Sequence, residues 1–349
     1  MEHDVKIRKA TKDDYEDVMG IIPTAVLNGG ADYLPDYFLS IFEQPSATAF
    51  VAVDGDKIIG FSFSTTVDNG QTIVMRGGRI NKQYQGVGLT PKMFMHNLEA
   101  ALDSKLKYIV STGDANSEAV QRILKRGIER NVLQLGRRYY QITFKNLQDS
   151  IPILGHEYCP PLKNMDIYEL QDLLNNRKLC KELFPDERFI VDKVPYRPMK
   201  ENAALVLAEK TVAFVSYGKH PNNRYSIVDG HVRRKTVNIS GSDHSCDTIS
   251  RYRPLVTFGT SYHASVGFVY NLEAFGYLDD MLCHLEAHFR NILINCKSES
   301  ILIQCYLREG KKWDVIDHIM SCYGFNKTEF WDSSLICHEA IKQNTKSRL

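Results

Sequence analysis

The residues whose types and spacing best suit chemistry lie in Arg79-Ile80-Asn81-Lys82-Gln83-Tyr84-Gln85-Gly86-Val87-Gly88-Leu89-Thr90. A strand end here runs into a glycine-spaced turn and then an amphipathic helix. Backbone N–H groups in the first turn of a helix have no intrahelical acceptor and carry the positive end of its dipole, so they can hold a pyrophosphate without a cationic side chain. Gly86 and Gly88 would let such a ligand approach the backbone. Ordinary turns carry the same spacing, so the flanking elements must decide. Gln71-Thr72-Ile73-Val74-Met75 reads as a buried strand that continues through Gly77-Gly78 to Ile80. Pro91 sits near the helix start, and Leu89, Met93, Phe94, Leu98, Ala101 and Leu102 recur at helical spacing. The turn has neither the three-glycine dinucleotide fingerprint nor the Gly-Lys-Ser/Thr of an NTPase loop.

Tyr108 to Ile128 supplies a second strand and helix, with Asn116 placed as a helix N-cap. Together the two segments resemble the signature of the GCN5-related N-acetyltransferase (GNAT) superfamily. Gln85 and Gly88 match its Gln/Arg-x-x-Gly-x-Gly/Ala motif, with Thr90 where Gly or Ala is usual. Asn116, Ala119, Lys125 and Gly127 match its Asn-x-x-Ala and Lys-x-Gly-Phe pattern, with Ile128 in place of the aromatic. The resemblance implies acetyl-CoA as co-substrate, held by Arg79, Ile80, Gln85, Gly86, Val87, Gly88, Leu89, Thr90 and Asn116, with Asn116 and Asp114 as catalytic residues. Two positions depart from it. The tyrosine that many members use to protonate the leaving thiolate falls at Ile123, and their frequent glutamate base falls near Thr72.

The front of the chain fits the same plan: an alternating strand at Val5 to Arg8, a helix start at Thr11 to Asp14, and a hairpin around Asp54-Gly55-Asp56-Lys57. The implied fold is α/β (α+β), a mixed, mostly antiparallel sheet flanked by helices. At 349 residues the chain has room for two such units. Pro152 and Pro160-Pro161 mark a linker over 148–165, which divides an acetyl-CoA-binding domain (1–147) from a second one (166–349). The second half reads as a helix over 168–183, strands at Ala203 to Leu207, Thr211 to Val215 and Ala264 to Val269, a helix from Leu278, then a last strand and helix from Ser300 to Met320. It lacks a cradle, as a degenerate acetyltransferase copy would.

Gly29 to Pro35, Val194-Pro195-Tyr196-Arg197-Pro198 and Phe275-Gly276, together with the cradle, resemble the vertebrate histidine N-acetyltransferase family. That resemblance implies a cytoplasmic enzyme that acetylates the α-amine of free L-histidine. Acetyl transfer to an amine needs a neutral amine, a polarised thioester carbonyl and protonation of sulfur. Backbone N–H groups around Gly78 to Ile80 would polarise the carbonyl. Deprotonation through water is open to Asp68, Asp114 or Asp32. An amino-acid carboxylate suits the planar fork of an arginine, and Arg76 and Arg79 are the candidates. Asp32, Tyr33, Arg76 and Tyr196 make up the expected acceptor pocket, and Arg197 a contact between the halves. Lys82, Lys92, Arg137 and Arg138 are candidates for coenzyme A phosphates. Two other readings stand beside this one: an inactive acetyl-CoA-binding module, and an acetyltransferase for a different amine.

Lys plus Arg number 43 against 42 Asp plus Glu, which argues against nucleic acid and anionic membranes as partners. No apolar run has the length of a membrane span, and the charged start is unlike a signal peptide. All eight cysteines lie at or after Cys159 without a Cys-x-x-Cys pair, so buried cytosolic thiols are expected. His284 and His288 stand four apart on a helix, but no third metal ligand accompanies them, and no metal is expected. No obligate protein partner is indicated.

Overall fold

The computed structural model describes residues 4–101, 105–125, 129–154, 162–208, 210–218, 224–228, 231–235, 253–308, 310 and 313–341. The first half runs β1 (Val5–Lys9), α1 (Tyr15–Ile21), α2 (Leu34–Ile41), β2 (Ala47–Asp54), β3 (Lys57–Val67), β4 (Thr72–Ile80), α3 (Leu89–Ala100), β5 (Tyr108–Asp114), α4 (Glu118–Lys125), β6 (Arg130–Thr143) and α5 (Phe144–Leu154). The second half runs α6 (Ile167–Asn175), α7 (Arg177–Leu183), β7 (Phe189–Val191), β8 (Val194–Tyr196), α8 (Ala203–Val206), β9 (Thr211–Gly218), β10 (Arg224–Val228), β11 (His231–Lys235), β12 (Arg253–Ala264), β13 (Gly267–Gly276), α9 (Met281–Asn295), β14 (Ser300–Arg308), α10 (Asp314–Cys322) and β15 (Asn326–Ile341). The expected linker 148–165 begins inside α5. Leu102, Gly127, Ile128, Pro160-Pro161 and the side chains of Ala119, Ile123 and Pro152 lie outside the described residues.

One sheet of eleven strands carries both halves, in the order β1-β2-β3-β4-β5-β15-β6-β14-β13-β12-β9. The two halves exchange their long last strands. β15 runs antiparallel to β5, from Leu335↔Asp114 to Ile341↔Tyr108. β6 runs antiparallel to β14, from Ser300↔Thr143 to Arg308↔Leu135. β6 and β15 then pair with each other through two irregularities. Each half thereby covers an open edge of the other, which satisfies backbone groups that would otherwise face water or a stranger chain.

Two expected strands differ. Ala203 to Leu207 is a helix, because Ala203 and Val206 are buried while Ala204 and Leu205 face out, a spacing of three that a strand cannot bury on one face. Ala264 to Val269 is not one strand: Ala264 ends β12, Ser265-Val266 turn, and Gly267, at φ +115°, begins β13, which carries Phe268 and Val269. The helix expected over 168–183 breaks at Asn176, whose side chain caps α7.

A buried ionic cluster fastens the exchanged strand. Arg188 bridges Asp68, at the β3–β4 turn, and Glu339 of β15, and Arg197 and Arg130 also reach Glu339. Asp68 further accepts from Thr72, Asn202 and the Arg197 N–H. Burial by itself would raise the Glu339 carboxyl, but the Arg188 hydrogen bond and charge hold it below the ordinary carboxylate range. Its contribution to stability is therefore present above the usual glutamate range and is lost as pH falls through the lowered value. Arg188→Met removes the ion-pair partner of the buried Asp68 and leaves Glu339 with only the more exposed Arg197 and Arg130, and should lower the unfolding free energy at pH 7 by about 3–5 kcal/mol in urea denaturation. A loss below about 1 kcal/mol would show that the cluster does not fasten β15.

Candidate active site

β4 and β5 are parallel and pair only from Thr72↔Tyr108 to Met75↔Ser111. Beyond Met75 they part. On its other edge β4 carries a bulge, in which Gly77 and Gly78 stand between the pairs Phe63↔Arg76 and Phe61↔Arg79. Gly77 has φ +63°, and a Cβ there would sit 2.6 Å from the Phe63 ring, so glycine is required twice over. A cavity of about 530 Å³ opens between the parted strands, lined by Arg76 to Ile80 of β4, Ser111 to Asp114 of β5, and Thr90, Met93 and Phe94 of α3.

The cradle stands at the rim of this cavity. Gly88 is the N-cap residue of α3 at φ +80°, and Gly86 has φ +84°. A Cβ added to either would meet nothing within 4 Å, so the space over the helix N-terminus is open. Gln85 Nε2 donates to the Ile80 carbonyl and ties the turn to the strand end. Gly86, Val87 and Thr90 are exposed, whereas the Leu89 side chain enters the core beside Ala52, Ile59 and Met93 and leaves its backbone to the turn. An open helix N-terminus next to a cleft between parted parallel strands fits a pyrophosphate with an extended arm. Lys82 and Lys92 are exposed nearby. Arg138 is committed elsewhere, paired with Asp317 and lying over Trp313.

At the other end of the cavity, several expected ligands engage each other. Arg79 Nη2 donates to Asp32 Oδ2 at 2.5 Å with both side chains buried, which fixes the loop before α2 against β4. That pairing takes the Arg79 guanidinium and the Asp32 carboxylate out of ligand binding, although both residues line the cavity. Arg76 donates to the Asp192 carbonyl and carboxylate at 3.0 and 3.1 Å and lies over Tyr33. Arg79 therefore presents no open fork to an amino-acid carboxylate, while Arg76 spends Nη2 on Asp192 and still lines the cavity. Tyr33 does line the cavity. Tyr196 does not: it is buried beside Phe189 in the core of the second half, because its position on the short strand β8 turns it away from the cleft. Arg197 lies over Tyr108 at 4.1 Å and joins the two halves.

The sequence reading missed the turn of the β7–β8 hairpin. Val191↔Val194 closes a two-residue loop, and Asp192 and Lys193 have φ +50° and +62°, the left-handed pair of a type I′ turn without the usual glycine. Bonds from both halves hold it. Arg76 of β4 and Asn271 of β13 donate to Asp192, the Asp192 N–H donates to Glu273, and Thr112 of β5 donates to the Lys193 carbonyl. Burial, together with the charge of Asp192, raises the Glu273 carboxyl well above its ordinary range. The turn thus sits over the point where β4 and β5 part. The Lys193 ammonium lies 5.2 and 5.8 Å from the ring centroids of Tyr33 and Tyr262, and no carboxylate among the described residues forms an ion pair with it. Burial pulls it down to about 8, and Arg137 and Arg76 add to that effect. Two apolar runs separated by two polar residues, Phe189-Ile190-Val191 and Val194-Pro195-Tyr196, were the available signal.

The remaining candidates divide. Asp114 lines the cavity, accepts from Arg137 at 2.5 Å and from the Asn116 N–H at 2.8 Å. Asn116 itself is exposed and outside the cavity lining, and it is not the cap of α4, since Ser117 provides the carbonyl that accepts from Gln121. Asp68 is fully buried in the ionic cluster and cannot serve as the base. Thr72 is buried too, and donates to Asp68. His284 and His288 share the Thr257 hydroxyl inside the second half, and burial pulls His284 down to about 3. Among the described residues no cluster of His, Cys, Asp and Glu has a metal-binding arrangement.

Residues 158–246 match the family described as histidine N-acetyltransferase, C-terminal. Histidine N-acetyltransferases of Oreochromis niloticus and Scomber australasicus are each 23% identical to this chain, over 58% and 57% of it and 62% and 61% of their own length. The chain therefore spans about three fifths of the length of these relatives. A solved tandem GNAT protein from the clavulanic acid biosynthesis pathway superposes on 97% of the chain and 98% of its own, with TM-score 0.52 at 10% identity. The chain is a tandem GNAT-fold protein related to histidine N-acetyltransferase. In the first half, the parted strands and the open turn before α3 lie side by side. In the second half, the equivalent parallel pair β13–β14 stays closed over seven residues, from Phe268↔Ile301 to Ala274↔Leu307, and no cradle follows it. Gly88→Trp fills the open space over α3 and should abolish acetyl-CoA binding in a calorimetric titration, with a modest fall in melting temperature because φ +80° strains any side chain. Undiminished affinity would move the cofactor away from this turn.

Proposed function

We propose that the protein transfers the acetyl group of acetyl-CoA to the α-amino group of a free amino acid, L-histidine by its relationship to the histidine N-acetyltransferases. The observation that carries this reading is Lys193, a cation with no ion-pair partner among the described residues, in a cavity that the Asp192–Lys193 turn and the loop before α2 line. A cavity lined in this way suits a small acceptor and a peptide less well. Acetyl-CoA, when bound, supplies the activated acyl group. The α3 N-terminus and the residues Gly86 to Thr90 hold its phosphates, and the backbone of Gly78 to Ile80 receives its carbonyl. Lys193 holds the acceptor carboxylate, and Tyr33 and Tyr262 form the wall beside it. Asp192, fixed by Arg76 and Asn271, keeps the turn in place. A cytoplasmic setting belongs to the same proposal, in keeping with the six described cysteines, all free thiols.

A second reading, an acetyl-CoA-binding module without catalysis, draws on Thr72, whose buried hydroxyl occupies the place of the usual glutamate base. Release of free coenzyme A from acetyl-CoA, with each common amino acid in turn and products identified by mass, separates the two. Turnover supports the enzyme and names the acceptor, whereas tight acetyl-CoA binding without turnover supports the module.

Lys193→Met should raise KM for the amino acid roughly 10- to 100-fold, the worth of one charged hydrogen bond, and leave acetyl-CoA affinity unchanged. Because the Lys193 ammonium is at about 8 before substrate arrives, KM of the unaltered protein should rise as pH passes above that value and the cation is lost. The methionine variant should lack that rise. An unchanged KM would remove Lys193 from acceptor binding.

A further inference from the structure

Ser111 is the last residue of the β4–β5 ladder, where the strands part. On its other edge it is the direct cross-strand neighbour of His338 on β15. Its hydroxyl lies 3.2 Å from Nε2 and 3.3 Å from Nδ1 of that imidazole, and Glu129 Oε2 makes a close contact with Nδ1. Ser111 and Glu129 both line the cavity. His338 lies between them with only 3% of its side chain exposed, while Glu129 keeps 17%. The three therefore form a continuous hydrogen-bonded path from the apex of the cleft to a partly wet carboxylate.

We propose that Ser111, His338 and Glu129 are the proton exit of the acetyl transfer. The inference rests on the acetyltransferase reading above. An amino acid arrives as an ammonium near neutral pH, since the α-amine of a free amino acid titrates above the range of a chain terminus (about 8), so it must lose a proton before it can attack. The carboxylates first considered for that task are engaged: Asp32 by Arg79, Asp114 by Arg137, and Asp68 by Arg188 and three further donors. An imidazole suits it, because one ring nitrogen can accept a proton while a carboxylate holds the other, as Ser111 and Glu129 stand here. In the step, the ammonium gives one proton to Ser111 Oγ as Ser111 passes its own to His338 Nε2, and Glu129 stabilises the resulting charge. The freed amine forms the carbon–nitrogen bond as the carbon–sulfur bond breaks. The second nitrogen proton goes to the thiolate, and the first leaves His338 for solvent beside Glu129.

Among the described residues, the charged groups around His338 are few. Glu129 touches it, and the Asp114–Arg137 pair lies on the cavity side. Glu339, next along β15, is taken up by Arg188, Arg197 and Arg130. The charged residues Glu118, Arg122 and Lys125 of α4 are exposed.

The test compares His338→Gln, Ser111→Ala and Ser111→Thr with the unaltered chain, using acetyl-CoA and the amino acid turned over fastest in the screen above. Melting temperature and a calorimetric acetyl-CoA titration establish that each variant is folded and binds. His338→Gln and Ser111→Ala should lower kcat roughly 100-fold with acetyl-CoA affinity intact, and Ser111→Thr, which keeps the hydroxyl, should recover most of it. In His338→Gln the ascending limb of the kcat/KM pH profile should also move up to the pKa of the free amine. Folded variants with unchanged kcat and an unmoved limb would overturn the relay and leave the acetyltransferase reading standing. An acetylated Ser111 peptide after rapid quenching would overturn it as well, since serine would then be a nucleophile. Absence of turnover by the unaltered chain with every amine would overturn the acetyltransferase reading, and the relay with it.

Discussion

The exchange of β6 and β15 is the constraint on which the rest depends. A parallel pair that parts after four residues leaves β5 with one short ladder, and such a strand needs a full ladder on its other edge to stay in register. β15 provides it, from Asp114 to Tyr108, and β6 returns the same service to β14. The cleft between β4 and β5 can stay open because β5 is held from behind.

The same exchange explains why the candidate site belongs to neither half. Cradle, bulge and parted strands come from the first. Lys193, His338 and the Asn271 and Glu273 groups that brace the hairpin come from the second. The β13–β14 ladder of the second half is closed, and that half serves as a wall for the first.

Much of this was legible in the sequence. The cradle, its strand and its helix were visible because glycine spacing and apolar periodicity both report local backbone needs. The tandem plan came from resemblance. Partner choice was not legible: nothing in Arg76 or Arg79 announces Asp192 or Asp32, since ion pairing over such distances is decided by topology. Tyr196 misled for a related reason, as a residue three positions beyond the hairpin turn points to the core while the turn enters the cleft. Lys193 and His338 were passed over because each acquires meaning only from the opposite half.

The topology also sets an order of events during synthesis. The strand that backs β5 is separated from it by the entire second half, so when the cradle half leaves the ribosome its β5 edge is bare and β6 has no β14 to join. Contacts of such long range close slowly. Until β15 arrives, the nascent first half presents two unpaired edges, and only its arrival produces a covered cleft, so assembly of the site and protection from aggregation are completed in the same late step.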